Sequence, residues 1–170
     1  DRVQMTDAGS YTVVATNAAG SVVSSAALLT VTPLPGRLIN LSVLTDIATP
    51  GDSFTLGAFL GGAGTSGVKA VLIRAAGPAL GGLGVAGTLA DPAIELFASV
   101  DRIGENDNWG GSATLDNVFT QVGAFPYASN SRDAAIHNGA VASGNLSVRV
   151  SGVGGATGAL TLGVGATRDR

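Results

Sequence analysis

The chain has 170 residues, which suits one good-sized domain or a domain with a small appendage. Only 12% of the residues are charged and glycine fills 26 positions, so the composition is neither that of a disordered chain nor that of a helical one. The net charge of −3 offers no basic surface and argues against nucleic acid as a partner. No apolar run reaches the roughly 18–20 residues of a membrane span, and the lack of cysteine excludes disulfides and thiol chemistry.

The first predicted elements are two strands, residues 10–16 and 21–31, which form an N-terminal hairpin. Apolar side chains lie on both faces of this hairpin, and an isolated hairpin is marginal in water. We therefore expect exposed apolar surface and two open edges, which favour pairing with another chain. The candidate assembly residues are Tyr11, Val13, Val22, Val23, Leu28, Leu29 and Val31.

A domain boundary is predicted at TPLPG, residues 32–36. Its two prolines have no amide hydrogen to donate to a β-ladder, so strand pairing should stop there. The chain is accordingly divided into an N-terminal hairpin, 1–31, a linker, 32–36, and a main domain, 37–167.

The main domain shows short alternating segments separated by glycine, asparagine, aspartate and proline. This spacing predicts an all-β, antiparallel, jelly-roll-like sandwich. Residues 109–125 are predicted as one helical turn or a loop across the end of the sandwich, and the glycine-bearing segment 152–158 as the loop between the last two strands. The predicted strands are 37–44, 53–60, 69–75, 93–99, 145–152 and 158–165, with a weaker one at 132–140.

Arg74 is the one charged residue in a long apolar stretch. In the strand KAVLIRA, Val71 and Ile73 share one face, and Arg74 lies on the other. Asp91 and Glu95 are the carboxylates predicted to pair with it, in a structural ion pair that would fix strand register; the alternative is a ligand-binding role for Arg74.

Half of the twelve carboxylates fall within residues 91–116. In this segment, Asp101, Glu105, Asp107 and Asn108 offer the oxygen ligands that calcium prefers. The alternative is a loop in which Asp107 and Asn108 bond to their own backbone. No cofactor is predicted other than this candidate calcium ion.

Catalysis has little support in the sequence. The lone histidine, His137, has no accompanying nucleophile elbow, two-histidine metal motif or second base. Trp109, the only tryptophan, fits a core or loop plug better than a carbohydrate platform. We therefore predict a protein that is not an enzyme.

Residues 7–20 resemble the last two strands, F and G, of immunoglobulin-like domains. The resemblance rests on Asp7-x-Gly9-x-Tyr11 followed by Ala15-x-Asn17-x-x-Gly20. It implies that Tyr11 forms a tyrosine corner, with its hydroxyl bonded to upstream backbone and its ring packed inward. Val13 stands where disulfide-bonded members of that family place a cysteine.

From Arg37 onward the chain resembles the β-sandwich module at the C-terminal ends of large secreted, Verrucomicrobia-like bacterial surface proteins. More remotely, it is similar to pre-peptidase C-terminal and collagen-binding-type jelly rolls. The resemblance implies an extracellular or cell-surface module that binds or assembles and does not catalyse. The motifs that carry it are RLINLSV (37–43), FTLGAFLGG (54–62), KAVLIRAAGPAL (69–80), LADPAIELF (89–97), ENDNWGG (105–111), VGAFP (122–126), SRDAA (131–135) and VSGVGGATGAL (150–160).

Three interpretations of the hairpin stay open: a trimmed remnant, a segment folded back on its own domain, or strands donated to another copy. The opening DRVQMTD lacks a signal-peptide layout, so a mature or trimmed segment is expected. Donation in a head-to-tail arrangement would produce a homopolymer such as a filament or surface array. The alternative function is a calcium- or glycan-binding accessory module of a secreted hydrolase or adhesin.

Overall fold

The computed structural model describes residues 3–31, 40–62 and 67–167. The chain divides into two compact units, 1–37 and 38–170, which are described separately below. The predicted linker, 32–36, and the first residues of the predicted strand 37–44 lie outside the described residues.

The N-terminal unit contains two small antiparallel sheets of two strands each. Strand β1 (Gly9–Tyr11) pairs with β4 (Ala27–Leu29), and β2 (Val14–Asn17) pairs with β3 (Gly20–Val23). The sequence predicted two uninterrupted strands here. Each is instead broken in the middle, where Val13 donates its amide to the Ser24 hydroxyl and accepts from the Ser24 amide.

The second unit is an antiparallel β-sandwich, which confirms the predicted fold class. One sheet has the strand order β10-β7-β12-β5 and the other has the order β6-β11-β8-β9. The chain repeatedly crosses between the two sheets, as expected of a jelly-roll-like arrangement. The strands are β5 (Asn40–Ile47), β6 (Ser53–Leu60), β7 (Val68–Ala76), β8 (Pro92–Ala98), β9 (Asp101–Asn106), β10 (Ala134–Ala142), β11 (Gly144–Gly152) and β12 (Gly158–Ala166).

The main core lies between the two sheets because each strand places alternate residues inward. In β11, Val148 and Val150 are buried in this core, whereas Arg149 between them is exposed. The predicted alternation in β7 is also confirmed, since Val71 and Ile73 face the main core. Full burial of such a branched side chain contributes about 1.5–3 kcal/mol to the free energy of folding, so the inward-facing side chains fix the register of each sheet.

A second, smaller core lies on the outer face of the β10-β7-β12-β5 sheet. It is covered by helix α2 (Ala113–Val122) and by a one-turn helix, α1 (Pro78–Gly81). The prediction for 109–125 was therefore wrong in part, because this segment holds a ten-residue helix. Among the described residues, no helix is long and apolar enough to cross a membrane.

Two strands, β5 and β6, form the sheet edges on one side of the sandwich, and β9 and β10 form those on the other. Edge strands expose unpaired backbone groups, and proteins usually protect them with charge, proline or irregularity. Strand β9 carries Asp101, Arg102 and Glu105, and β10 has a register irregularity between Asn138 and Val141. The eight residues of β6, SFTLGAFL, contain neither a charge nor a proline.

Candidate functional site

The predicted assembly residues lie on the surface of the N-terminal unit. Six of them, all except Val31, are 39–79% exposed, and Val31 is half-buried. The strands that carry them present residues 14–17, 20–23 and 27–29 to solvent along their whole length. Among the described residues, this unit therefore leaves most of these apolar side chains open to solvent.

Tyr11 makes the backbone contact expected of a tyrosine corner. Its hydroxyl donates to the carbonyl of Asp7 at 2.7 Å, while the Asp7 carboxylate accepts from the amide of Gln4. The Tyr11 ring, however, is 54% exposed and not packed inward. The described residues of this unit supply only two-stranded sheets, so the ring has no opposing sheet to pack against.

The predicted ion pair of Arg74 with Asp91 or Glu95 is wrong. Asp91 pairs with Arg132 at 2.8 Å. Glu95 lies on the outer face of its sheet, between Arg102 and Arg149, and the hydrogen bond from Arg149 lowers the pKa of Glu95. Arg74 lies on the outer face of the other sheet, so Glu95 is on the far side of the main core from it.

Arg74 is instead enclosed by three aromatic rings. Its guanidinium carbon lies 4.3 Å from the ring centroid of Phe119, 4.4 Å from that of Phe125 and 4.0 Å from that of Tyr127. One terminal N–H group donates to the carbonyl of Phe125. Planar guanidinium groups stack well on aromatic faces, and such contacts strengthen when they are desolvated. We call this arrangement the arginine cage.

The local sequence explains how the cage is built. Helix α2 begins at Ser112, whose hydroxyl accepts from the amide of Leu115, and it ends at Gly123 in a left-handed conformation with φ of 70°. The chain turns after this helix end, so that Phe125 and Tyr127 join Phe119 of the helix around Arg74. Two parts of the chain distant in sequence, β7 and the segment of α2 with the residues that follow it, therefore meet around one guanidinium.

Two polar groups in the cage lack a hydrogen-bonding partner. Arg74 is 8% exposed, and its Nε–H has no hydrogen-bond acceptor. The Tyr127 hydroxyl likewise forms no hydrogen bond of good geometry. Burial lowers the pKa of Arg74 and raises the pKa of Tyr127, although an arginine stays charged at neutral pH. The cage thus holds a fixed positive charge beside a neutral phenol.

An open groove of about 610 Å³ lies beside the cage, on the outer face of the same sheet. Its floor is formed by Thr161, Gly163 and Gly165 of β12, and its outer margin by Asn40 and Ser42 of β5. The opposite wall is the end of α2 and the chain that follows it, up to the cage. No aspartate or glutamate is among the described residues that line this groove.

The predicted calcium ligands are not gathered at one point. Asp101 and Glu105 lie four residues apart on β9, a separation of about 13 Å along a strand. Glu105 forms an ion pair with Arg102. Within the part of the chain that the structure describes, no three histidine, cysteine, aspartate or glutamate side chains form a group suited to a metal ion.

The loop after β9 is held by a different residue from those predicted. Asn106 donates from its side-chain amide to the carbonyl of Asn108 and accepts from the amide of Ala135, each at 2.9 Å. Trp109 is buried in the second core, and its indole N–H donates to the carbonyl of Ala128. The loop thereby fastens β9 to the start of β10.

Asp133 has a structural role that was not predicted from the sequence. Its carboxylate is fully buried, accepts from the amides of Gly77 and Ala79, and also accepts from the Ser131 hydroxyl. It therefore satisfies the backbone donors at the start of α1. His137, four residues on, is exposed.

Comparison with known proteins gives no matching family model, no matching curated protein and no matching solved structure. The fold is therefore assigned from the structure of the chain itself, as an all-β sandwich.

Proposed function

We propose that this chain is a non-catalytic, extracellular structural protein that assembles head to tail by donating strands from its N-terminal unit. The observation that carries the proposal is the exposed apolar surface of that unit, whose strands have open edges. Adding such strands to the sheet edge of another copy forms backbone hydrogen bonds and buries the apolar side chains. A resemblance to the C-terminal modules of secreted bacterial surface proteins agrees with this function.

The acceptor in this proposal is strand β6. It is an eight-residue edge strand without charge or proline, and its exposed Phe59 adds apolar surface next to the free edge. Phe54, Leu56 and Leu60 face inward and are only partly buried, so an added strand would also complete the margin of the core. Because donor and acceptor are different surfaces, the contact is heterologous and generates a filament.

We expect the purified chain to form filaments, and two different changes should each abolish them. Deleting residues 1–31 removes the donor, and the double variant Gly57→Lys, Phe59→Lys charges the acceptor. Both positions point away from the core, and an added side chain at Gly57 meets nothing within 4 Å, so the sandwich should stay folded. Negative-stain electron microscopy and light scattering report the assembly state.

The decisive measurement mixes the two non-assembling variants. The deletion variant keeps the acceptor and the double variant keeps the donor, so an equimolar mixture should form a 1:1 heterodimer and no filament. The matched control is Gly81→Lys, Leu83→Lys, which places the same charges on an exposed segment outside β6 and should assemble as the unmodified chain does. A chain that stays monomeric at every concentration would refute the proposal.

The alternative is a calcium- or glycan-binding accessory module of a secreted hydrolase or adhesin, and its calcium-binding form makes a separate prediction. A ligand that binds only the native state must raise the melting temperature. We expect equal melting temperatures in excess calcium and in chelator, because Glu105 is engaged by Arg102 and lies about 13 Å from Asp101 along β9. A rise of several degrees in calcium would instead favour the accessory-module function. Thermal denaturation followed by circular dichroism makes the comparison.

A further inference from the structure

We propose that the groove beside the arginine cage is a binding site for an acidic sugar, namely a uronic acid residue of an oligosaccharide. The site is separate from the proposed acceptor strand, because it lies on the outer face of the β10-β7-β12-β5 sheet, whereas β6 belongs to the other sheet. Its volume of about 610 Å³ is within the roughly 300–1,000 Å³ of pockets that enclose small ligands.

Gly163 of the groove floor is not required by the packing of the chain itself. Gly163 lies inside β12, where glycine weakens a strand and often marks the close approach of a ligand. A methyl group at this position would meet only the carbonyl oxygen of Arg74, at an ordinary 3.9 Å. Packing therefore does not require a glycine here, and the missing side chain leaves the floor open to a flat ligand.

The arginine cage supplies the second, independent observation. Arg74 lines the groove with a fixed positive charge, and its Nε–H and the adjacent Tyr127 hydroxyl are buried without a hydrogen bond of good geometry. Guanidinium groups bind carboxylates through strong, charge-assisted hydrogen bonds. Since the described lining contains no carboxylate of its own, the groove is complementary to a ligand that carries one.

The remaining lining favours a sugar. Asn40, Ser42, Thr161 and Gln121 have uncharged side chains that both donate and accept hydrogen bonds, as sugar hydroxyls do. Phe125, at the wall, is partly exposed and offers an aromatic surface to the apolar face of a sugar ring.

An acidic peptide fits the same charge less well. Extended peptides gain much of their affinity from backbone hydrogen bonds to a free strand edge. The floor strand β12 is already paired on both sides, with β5 and with β7. A peptide lying on this floor would find no free ladder, so recognition has to come from side chains.

The test is isothermal titration calorimetry of the full chain with trimers of galacturonic, glucuronic and mannuronic acid. We expect at least one trimer to bind, and its methyl ester to bind at least tenfold more weakly because the carboxylate is lost. Binding should also weaken as salt is raised. A tripeptide, Gly-Glu-Gly, serves as the acidic peptide, and we expect it to bind at least tenfold more weakly than the trimer.

The location is tested with a pair of glycine variants. Gly163→Val fills the floor and should weaken binding at least tenfold, with the melting temperature confirming the fold. Gly139→Val is the matched control, because an added Cβ at this exposed position of β10 meets nothing within 4 Å, and it should bind as the unmodified chain does. Failure of all three trimers to bind, equal binding of the ester, preference for the peptide, or unchanged binding by Gly163→Val would each overturn the proposal.

Discussion

Alanine at position 152 should lower the free energy of unfolding by about 3 kcal/mol or more. Gly152 ends β11, and the Cβ of any other residue there would overlap the carbonyl of Ala156 and come within 3.0 Å of a Leu89 methyl group. Neither neighbour can move easily, since Leu89 is fully buried and the amide of Ala156 is bonded to Val153. Urea denaturation followed by circular dichroism measures the loss.

The control for this variant is Gly57→Ala. Position 57 also lies in a strand, but an added Cβ meets nothing within 4 Å. The free energy of unfolding should therefore stay within about 0.5 kcal/mol of the unmodified value. Equal stabilities of the Gly152→Ala and Gly57→Ala variants would show that the loop 152–158 does not press on the end of β11.

Replacing Asp133 by alanine should lower the free energy of unfolding by about 3–5 kcal/mol, which is similar to the effect of Gly152→Ala. The change leaves the buried amide of Gly77 without its acceptor, which lies at 2.7 Å, and also frees the Ala79 amide and the Ser131 hydroxyl. Asparagine has a similar shape and keeps one acceptor oxygen, so Asp133→Asn should lower the free energy of unfolding by roughly half as much. Urea denaturation of both variants gives the two values.

Asp101→Ala is the comparison for Asp133, because Asp101 is an exposed carboxylate on β9. This substitution should change the free energy of unfolding by less than about 0.5 kcal/mol. If Asp133→Ala were no more destabilising than Asp101→Ala, the buried carboxylate would not be what holds α1 against the sheet.

The sandwich could be predicted because alternation along a strand is a local property. Residues 53–60 were predicted with the bounds that β6 has, and Val71 and Ile73 were assigned to one face correctly. Strand β9 was missed because its sequence, DRIGEN, alternates charged and apolar residues too weakly. Helix α2 was underestimated because ten residues give fewer than three turns of periodicity.

The arginine cage could not be predicted, because its contacts join distant parts of the chain. Arg74 was correctly noticed as a charge within an apolar strand, but the carbonyl that it bonds belongs to Phe125, 51 residues further on. The sequence around Arg74 does not distinguish an aromatic partner from a carboxylate, so the predicted pairing with the nearest carboxylates, Asp91 and Glu95, is wrong. The role of Asp133 is hidden for the same reason, since the two amides that it accepts from, those of Gly77 and Ala79, are more than 50 residues earlier.

The position of Trp109 allows its fluorescence to report on one layer of the fold. The only indole of the chain lies in the outer layer beneath α2, 5.8 Å from the Phe119 ring, and not between the two sheets. Its emission consequently monitors the second core beneath α2 alone, whereas the far-ultraviolet circular dichroism is dominated by the strands. A cover that loosens before the sheets separate would be visible as two transitions that do not coincide.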